Sequence, residues 1–224
     1  MGKKRFILVL AILLIFTFGC SKEKYALEFK KEYESMNGEV NKSGKEHRTV
    51  TIDENNPYQK VDTSEILKKI DNKETFYVYF GDKLCPWCRS VIEKSIEVAN
   101  ANKIDKIYYV AIWDDEGKEV VRDKYEIVDG KLSKTIEGNK DYSKLLETFK
   151  DLLSDYTVTD SAGNKIETGE KRIFAPNFIY IEKGIPKKLV TGISDKQTDS
   201  REELTDEILK DEEEQFNDLF NKKD

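Results

Sequence analysis

One histidine and three cysteines are all the soft ligands this chain offers a metal. A structural zinc site takes four, usually Cys and His in closely spaced pairs. The sequence has a single Cys-x-x-Cys and His47 lies far from it, so a metal centre is not expected. The scarcity of histidine also argues against a Ser-His or Cys-His nucleophile. His47 has no such nucleophile and acid near it in sequence and reads as a surface residue. Basic excess is missing too. The formal charge is −6, and an acidic surface disfavours nucleic acid and adsorption to anionic lipid. A run long enough to cross a bilayer is absent as well. Residues 6–18 carry no charge, but thirteen residues suit a signal-peptide core better than a span.

That run follows the basic segment Lys3-Lys4-Arg5 and ends at Gly19-Cys20. Thr17-Phe18-Gly19-Cys20 resembles a bacterial lipobox, whose cysteine is lipidated and becomes the mature N-terminus. The small residue Gly19 carries the likeness, whereas Thr17 stands where the family prefers leucine. An uncleaved N-terminal anchor is the alternative. Either route exports the remainder, with Cys20 as the lipidation site and the lipid as the membrane tether. Cleavage before Cys20 removes three basic residues and leaves 35 bases against 44 acids, a net −9. Residues 20–48 are rich in Lys, Glu, Ser, Asn and Gly and read as a flexible linker, with a short amphipathic helix possible over 23–36.

The remaining cysteines form Cys85-Pro86-Trp87-Cys88. Before them, 75–81 is aromatic and β-branched, which favours a strand. After them, Cys88, Val91, Ile92, Ser95, Ile96 and Ala99 fall on one face of a helix. Cys85 therefore stands at a helix N-terminus, where free backbone N–H groups and the helix dipole favour a thiolate. Cys88, one turn on, can attack a mixed disulfide held on Cys85. In an exported chain the pair reads as a redox dithiol. A structural disulfide is the bland alternative, and closing so short a loop would constrain the unfolded chain little. Lys83 and Arg89 flank the site as thiolate-stabilising or merely solvated charges. Trp87, in the first turn, reads as an apolar cap facing substrate.

Other elements follow from pattern. A short strand is predicted at 49–52, and a helix around Ile66, Leu67 and Ile70 capped by Thr63 or Ser64. A buried strand at 106–113 should pair in parallel with 75–81. A hairpin around Asp129-Gly130, a helix over 142–153 and a polar loop over 160–169 come next. Ser200-Arg201-Glu202-Glu203 reads as a capping box for a last helix.

Ala175-Pro176 opens a strand, 177–182, followed by a turn and a second strand, 187–192. Together with the dithiol this resembles the thioredoxin superfamily, in which a cis-proline opens the strand facing the Cys-x-x-Cys. An edge-strand or turn proline is the alternative. The resemblance implies an α/β thioredoxin-like fold: a central mixed β-sheet flanked by helices, with an insertion, 114–172, before the cis-proline strand. Residues 1–19 would be the signal peptide, 20–48 the linker and 49–222 the domain. Cys85 and Cys88 would be catalytic, and Pro86, Trp87, Ala175 and Pro176 would meet substrate. Thioredoxins bury an acid on the strand before the dithiol; Tyr79 holds the matching place here, and Asp82 falls in the loop. Among relatives, thioredoxin-like lipoproteins of Gram-positive bacteria and accessory proteins of bacteriocin transport are the most similar in pattern. The resemblance thus implies an exported thiol–disulfide oxidoreductase without cofactor beyond its own disulfide, acting on exported proteins and reset by a separate membrane redox partner. A non-enzymatic accessory or binding protein of a transport system is the competing class.

Overall fold

The computed structural model describes residues 22–221; the signal segment and Cys20 lie outside them. At the centre runs β2 (Phe76–Gly81), with all six residues buried. It lies parallel to β3 (Ile107–Ala111), which in turn pairs in parallel with β1 (Tyr58–Lys60). On its other side β2 meets β8 (Asn177–Glu182) antiparallel, and β8 meets β9 (Ile185–Val190) antiparallel. The sheet order is β1-β3-β2-β8-β9.

Alternation along β2 sorts its side chains between two layers. Tyr77 and Tyr79 join the cluster beneath α1 (22–34), α3 (Pro86–Ala101) and α5 (Asp206–Phe220), with Phe29, Val91, Ile92 and Phe216. Phe76, Val78 and Phe80 join the cluster beneath α2 (Thr63–Asp71) and α4 (Tyr142–Phe149), with Ile66, Leu67, Leu145 and Phe149. Helices thus cover both faces of a mixed sheet, as the fold class requires.

Within the segment read as a linker, the amphipathic helix allowed over 23–36 is present, and it packs into the core. Residues 22–34 form α1, and Ala26, Phe29 and Tyr33 make a one-sided stripe at most 2 % exposed. Phe29 stacks on Tyr58 with ring centroids 4.4 Å apart and meets Tyr109 edge-on at 5.2 Å. Three apolar residues at helical spacing suffice to bury one face, although Lys and Glu dominate the composition. His47 is buried rather than on the surface, and burial followed by the nearby charges of Arg89 and Arg201 lowers its pKa.

Smaller departures share one cause, side chains satisfying backbone groups. Residues 49–52 are extended but join no strand. The Val50, Thr51 and Ile52 N–H groups donate to Asn37 Oδ1, Glu93 Oε1 and Glu34 Oε1 at 3.0, 2.9 and 2.9 Å. Asp62, not Thr63 or Ser64, caps α2 by accepting from Glu65 N–H at 2.9 Å. Thr205, not Ser200, caps α5 by accepting from Ile208 N–H. Between β3 and β8 stand two hairpins, β4 (Lys124–Val128) with β5 (Lys131–Ile136) and β6 (Asp155–Thr159) with β7 (Lys165–Lys171), separated by α4. The second half of the polar loop expected at 160–169 is β7, and the turn before it is held by Asp160 Oδ1, which accepts from Ala162 and Asn164 N–H.

Candidate active site

β2 delivers the chain to the C-terminal end of the parallel strands, and 82–84 turn it into α3. Cys85 is the N-cap, with Pro86 in the first turn, where its missing N–H has no helical partner to lose. The Cys88 N–H donates to Cys85 Sγ at 3.4 Å, and the Cys85 thiol donates to Ala175 O at 3.6 Å. The Ala175–Pro176 peptide is cis and leads directly into β8. Four residues singled out from sequence, Cys85, Cys88, Ala175 and Pro176, thus converge at one point. Both cysteines are free thiols.

Environment separates the two sulfurs. The Cys85 pKa is lowered, first by the hydrogen bond from the Cys88 side chain, against burial, with help from the Cys88 and Trp87 N–H groups. The Cys88 pKa is raised well above the ordinary value, first by burial and then by Cys85 itself. One thiol is thus favoured to ionise and the other to hold its proton.

Trp87 is half-buried against the α1/α3/α5 cluster and so is less open than a free apolar cap. Lys83 pairs with Asp115 at 2.6 Å. Arg89 is fully buried and reaches no carboxylate among the described residues. Its guanidinium donates to Arg48 O at 2.7 Å, Tyr33 O at 2.7 Å, Lys83 O at 3.2 Å and Asn37 Oδ1 at 2.6 Å. It ties the 33–48 segment to the start of α3.

Sequence reasoning set aside two groups that the fold places at the site. Asp82 is 2 % exposed, accepting from Leu84 N–H at 2.9 Å and Trp113 N–H at 3.2 Å. Burial pushes its pKa up to about 6 against those bonds. An Asp two residues before a free N–H at a strand end was the available signal. The second group is Tyr79 on β2, fully buried in the same cluster as Cys88, with its hydroxyl 2.8 Å from that of Tyr33 on α1.

Strand order, strand directions, the dithiol at the α3 N-terminus and the cis-proline opposite define a thioredoxin-like fold. No family model matches the chain, and no curated protein matches it. Among solved structures, thioredoxin O2 from Arabidopsis thaliana in the oxidized state is similar at a TM-score of 0.32 and 12 % identity, covering 62 % of this chain and 85 % of that one. The fold assignment rests on the chain's own topology and not on that likeness. No helix among the described residues is long and apolar enough to cross a membrane.

Proposed function

We propose that this protein is an extracytoplasmic thiol–disulfide oxidoreductase, tethered by lipid on Cys20 and exchanging electrons with exported proteins. The observation that carries the reading is Cys85 at the α3 N-cap, its sulfur accepting from Cys88 N–H at 3.4 Å and lying 3.6 Å from Ala175 O beside the cis-proline, with Cys88 fully buried within one turn. The Cys85 thiolate attacks a substrate disulfide, forming a mixed disulfide and releasing one substrate thiolate. Cys88 then attacks Cys85 Sγ, so that the Cys85–Cys88 bond forms and the second substrate thiolate leaves. Two electrons pass to the substrate, and the reverse sequence oxidises a substrate dithiol. The Ala175 carbonyl and Pro176 offer an extended substrate a backbone edge beside the sulfur. No organic cofactor or metal is needed, because the dithiol itself holds the electrons.

The described chain starts α1 at residue 22, where Lys22 pairs with Asp105 just ahead of β3. That end of the sheet is opposite the dithiol. A lipid on Cys20 would leave the reactive sulfur facing away from the bilayer, toward exported chains. The Cys88→Ser variant tests the reading. It should trap substrates covalently on Cys85, recovered as adducts that dithiothreitol releases. Absence of any adduct would favour a non-enzymatic accessory role.

A further inference from the structure

The insertion leaves the sheet after β3 and rejoins it before β8, and one buried carboxylate stands where its two ends meet. Arg122 lies two residues before β4, and Arg172 follows β7 directly. Glu119, itself buried, receives both. Its Oε1 accepts from Arg122 Nε at 2.9 Å and its Oε2 from Arg122 Nη2 at 2.6 Å, a bidentate grip. Arg172 Nη2 donates to the same Oε2 at 3.4 Å, and the Arg172 guanidinium also holds Asp123 O and lies over the Tyr156 ring.

From this cluster one arm runs to each half of the site. Trp113 Nε1 donates to Glu119 Oε2 at 3.2 Å, and the Trp113 N–H donates to Asp82 Oδ2 at 3.2 Å. Asp82 Oδ1 in turn accepts from Leu84 N–H at 2.9 Å, at the turn into Cys85. On the other side Arg122 Nη1 donates at 3.0 Å to the carbonyl of Ile173. Two residues further on, Ala175 O lies 3.6 Å from the Cys85 sulfur.

We propose that Glu119 and Arg122 are positioning residues that fix the Ala175-Pro176 edge against the dithiol turn, and so fit the site to polypeptide disulfides over small ones. The inference rests on the thiol–disulfide reading above. A guanidinium is planar and forked, so Arg122 grips a carboxylate through two nitrogens and a carbonyl through the third, in one geometry. Buried as they are, these groups have no water to replace a lost partner, so the arrangement holds as a unit. An extended polypeptide must meet the edge and the sulfur together, whereas a small disulfide needs the thiolate alone. The cluster holds backbone and takes no part in the exchange itself. The insertion thereby serves the site from its base.

The test compares two disulfides. Insulin, a polypeptide, is followed under dithiothreitol turnover, and Ellman's reagent in a single turnover of the reduced protein. Arg122→Lys keeps the charge and loses the fork that reaches Ile173 O. It should raise the half-saturating insulin concentration about tenfold, the lower end for one hydrogen bond to a charged group, with the maximal rate and the Ellman's rate near wild type. Trp113→Phe removes only the Nε1 donor and should act in the same direction by about threefold. A thermal melt establishes that each variant is folded, and where Arg122→Lys does not fold, Trp113→Phe decides by the same comparison. Wild-type insulin saturation in the folded variants would overturn the assignment. Equal losses with both disulfides would also overturn it, by assigning the cluster to the fold as a whole. A wild-type protein that reacts with Ellman's reagent but never saturates with insulin would overturn the positioning role alone. One that reduces neither would overturn it together with the reading on which it rests.

Discussion

Tyr79 and Phe80 are adjacent on β2, both fully buried, and serve different ends. Tyr79 faces the α1/α3/α5 layer, where Tyr33, Tyr58, Tyr109, Ser95, Arg89 and both cysteines sit among the apolar side chains. Phe80 faces the α2/α4 layer, where the core is almost wholly aliphatic and phenyl, and meets Phe149 edge-on at 6.0 Å. One layer of this sheet accepts the cost of buried hydroxyls, thiols and a guanidinium; Tyr33, Tyr58, Tyr109 and Arg89 have partners there, whereas the Tyr77 hydroxyl has none among the described residues. The other holds the fold chiefly by packing, with one buried ion cluster, Glu119 with Arg122 and Arg172, beside Ile173. A pleated strand lets a protein keep its chemistry and its ballast one residue apart.

Perturbing the packing layer should give the largest change in stability. Phe80→Ala leaves a cavity that neighbours cannot fill and should cost about 3–5 kcal/mol, read by urea denaturation. Its rate of thionitrobenzoate release from Ellman's reagent by the reduced Cys85–Cys88 pair, measured under native conditions, should stay near that of the wild type. A parallel loss in that rate would show that the two layers do not divide the work.

A smaller effect should come from Glu212, which lies on α5 in the polar layer. It is fully buried, and neither carboxylate oxygen has a hydrogen-bond partner among the described residues. Burial pushes its pKa up to about 8 from the ordinary 4.5, against the positive charges of Lys94 and Arg48. The folded chain therefore binds a proton here that the unfolded chain releases. Its contribution is fully present below pH 4.5 and is lost as pH rises through about 8. Glu212→Gln should be more stable than the wild type at pH 8.5 by about 1–3 kcal/mol and should lose that advantage at pH 4.5. Denaturant midpoints at the two pH values decide it. An equal offset at both would assign the effect to packing instead of ionisation.

The parts legible in the sequence were those whose signal lies within a few residues. The strand into Cys85, the amphipathic stripe from Cys88 to Ala99, the parallel β2–β3 pair and the Ala175-Pro176 strand all announce themselves by local period or punctuation. What could not be read depends on distant partners. Tyr33 meets Tyr79 across 46 positions, and Arg89 reaches Tyr33 O across 56. Asp82 looks like a loop acid until Trp113, 31 residues on, closes over it. A helix near α1 was legible, but its docking into the core was obscured by composition, since its polar residues outnumber the three that face the core. Likewise, 49–52 has strand-forming residues but finds side-chain acceptors before it finds a sheet edge, and β1 takes that edge instead.

The central claim is that Cys85 and Cys88 form a working redox couple. Its most direct test equilibrates the protein with graded glutathione or dithiothreitol buffers and quantifies the oxidised fraction by thiol trapping. The account predicts a reversible two-electron transition with a midpoint between about −270 and −120 mV, abolished in Cys85→Ser. A pair that remains in one state across all buffers would contradict it.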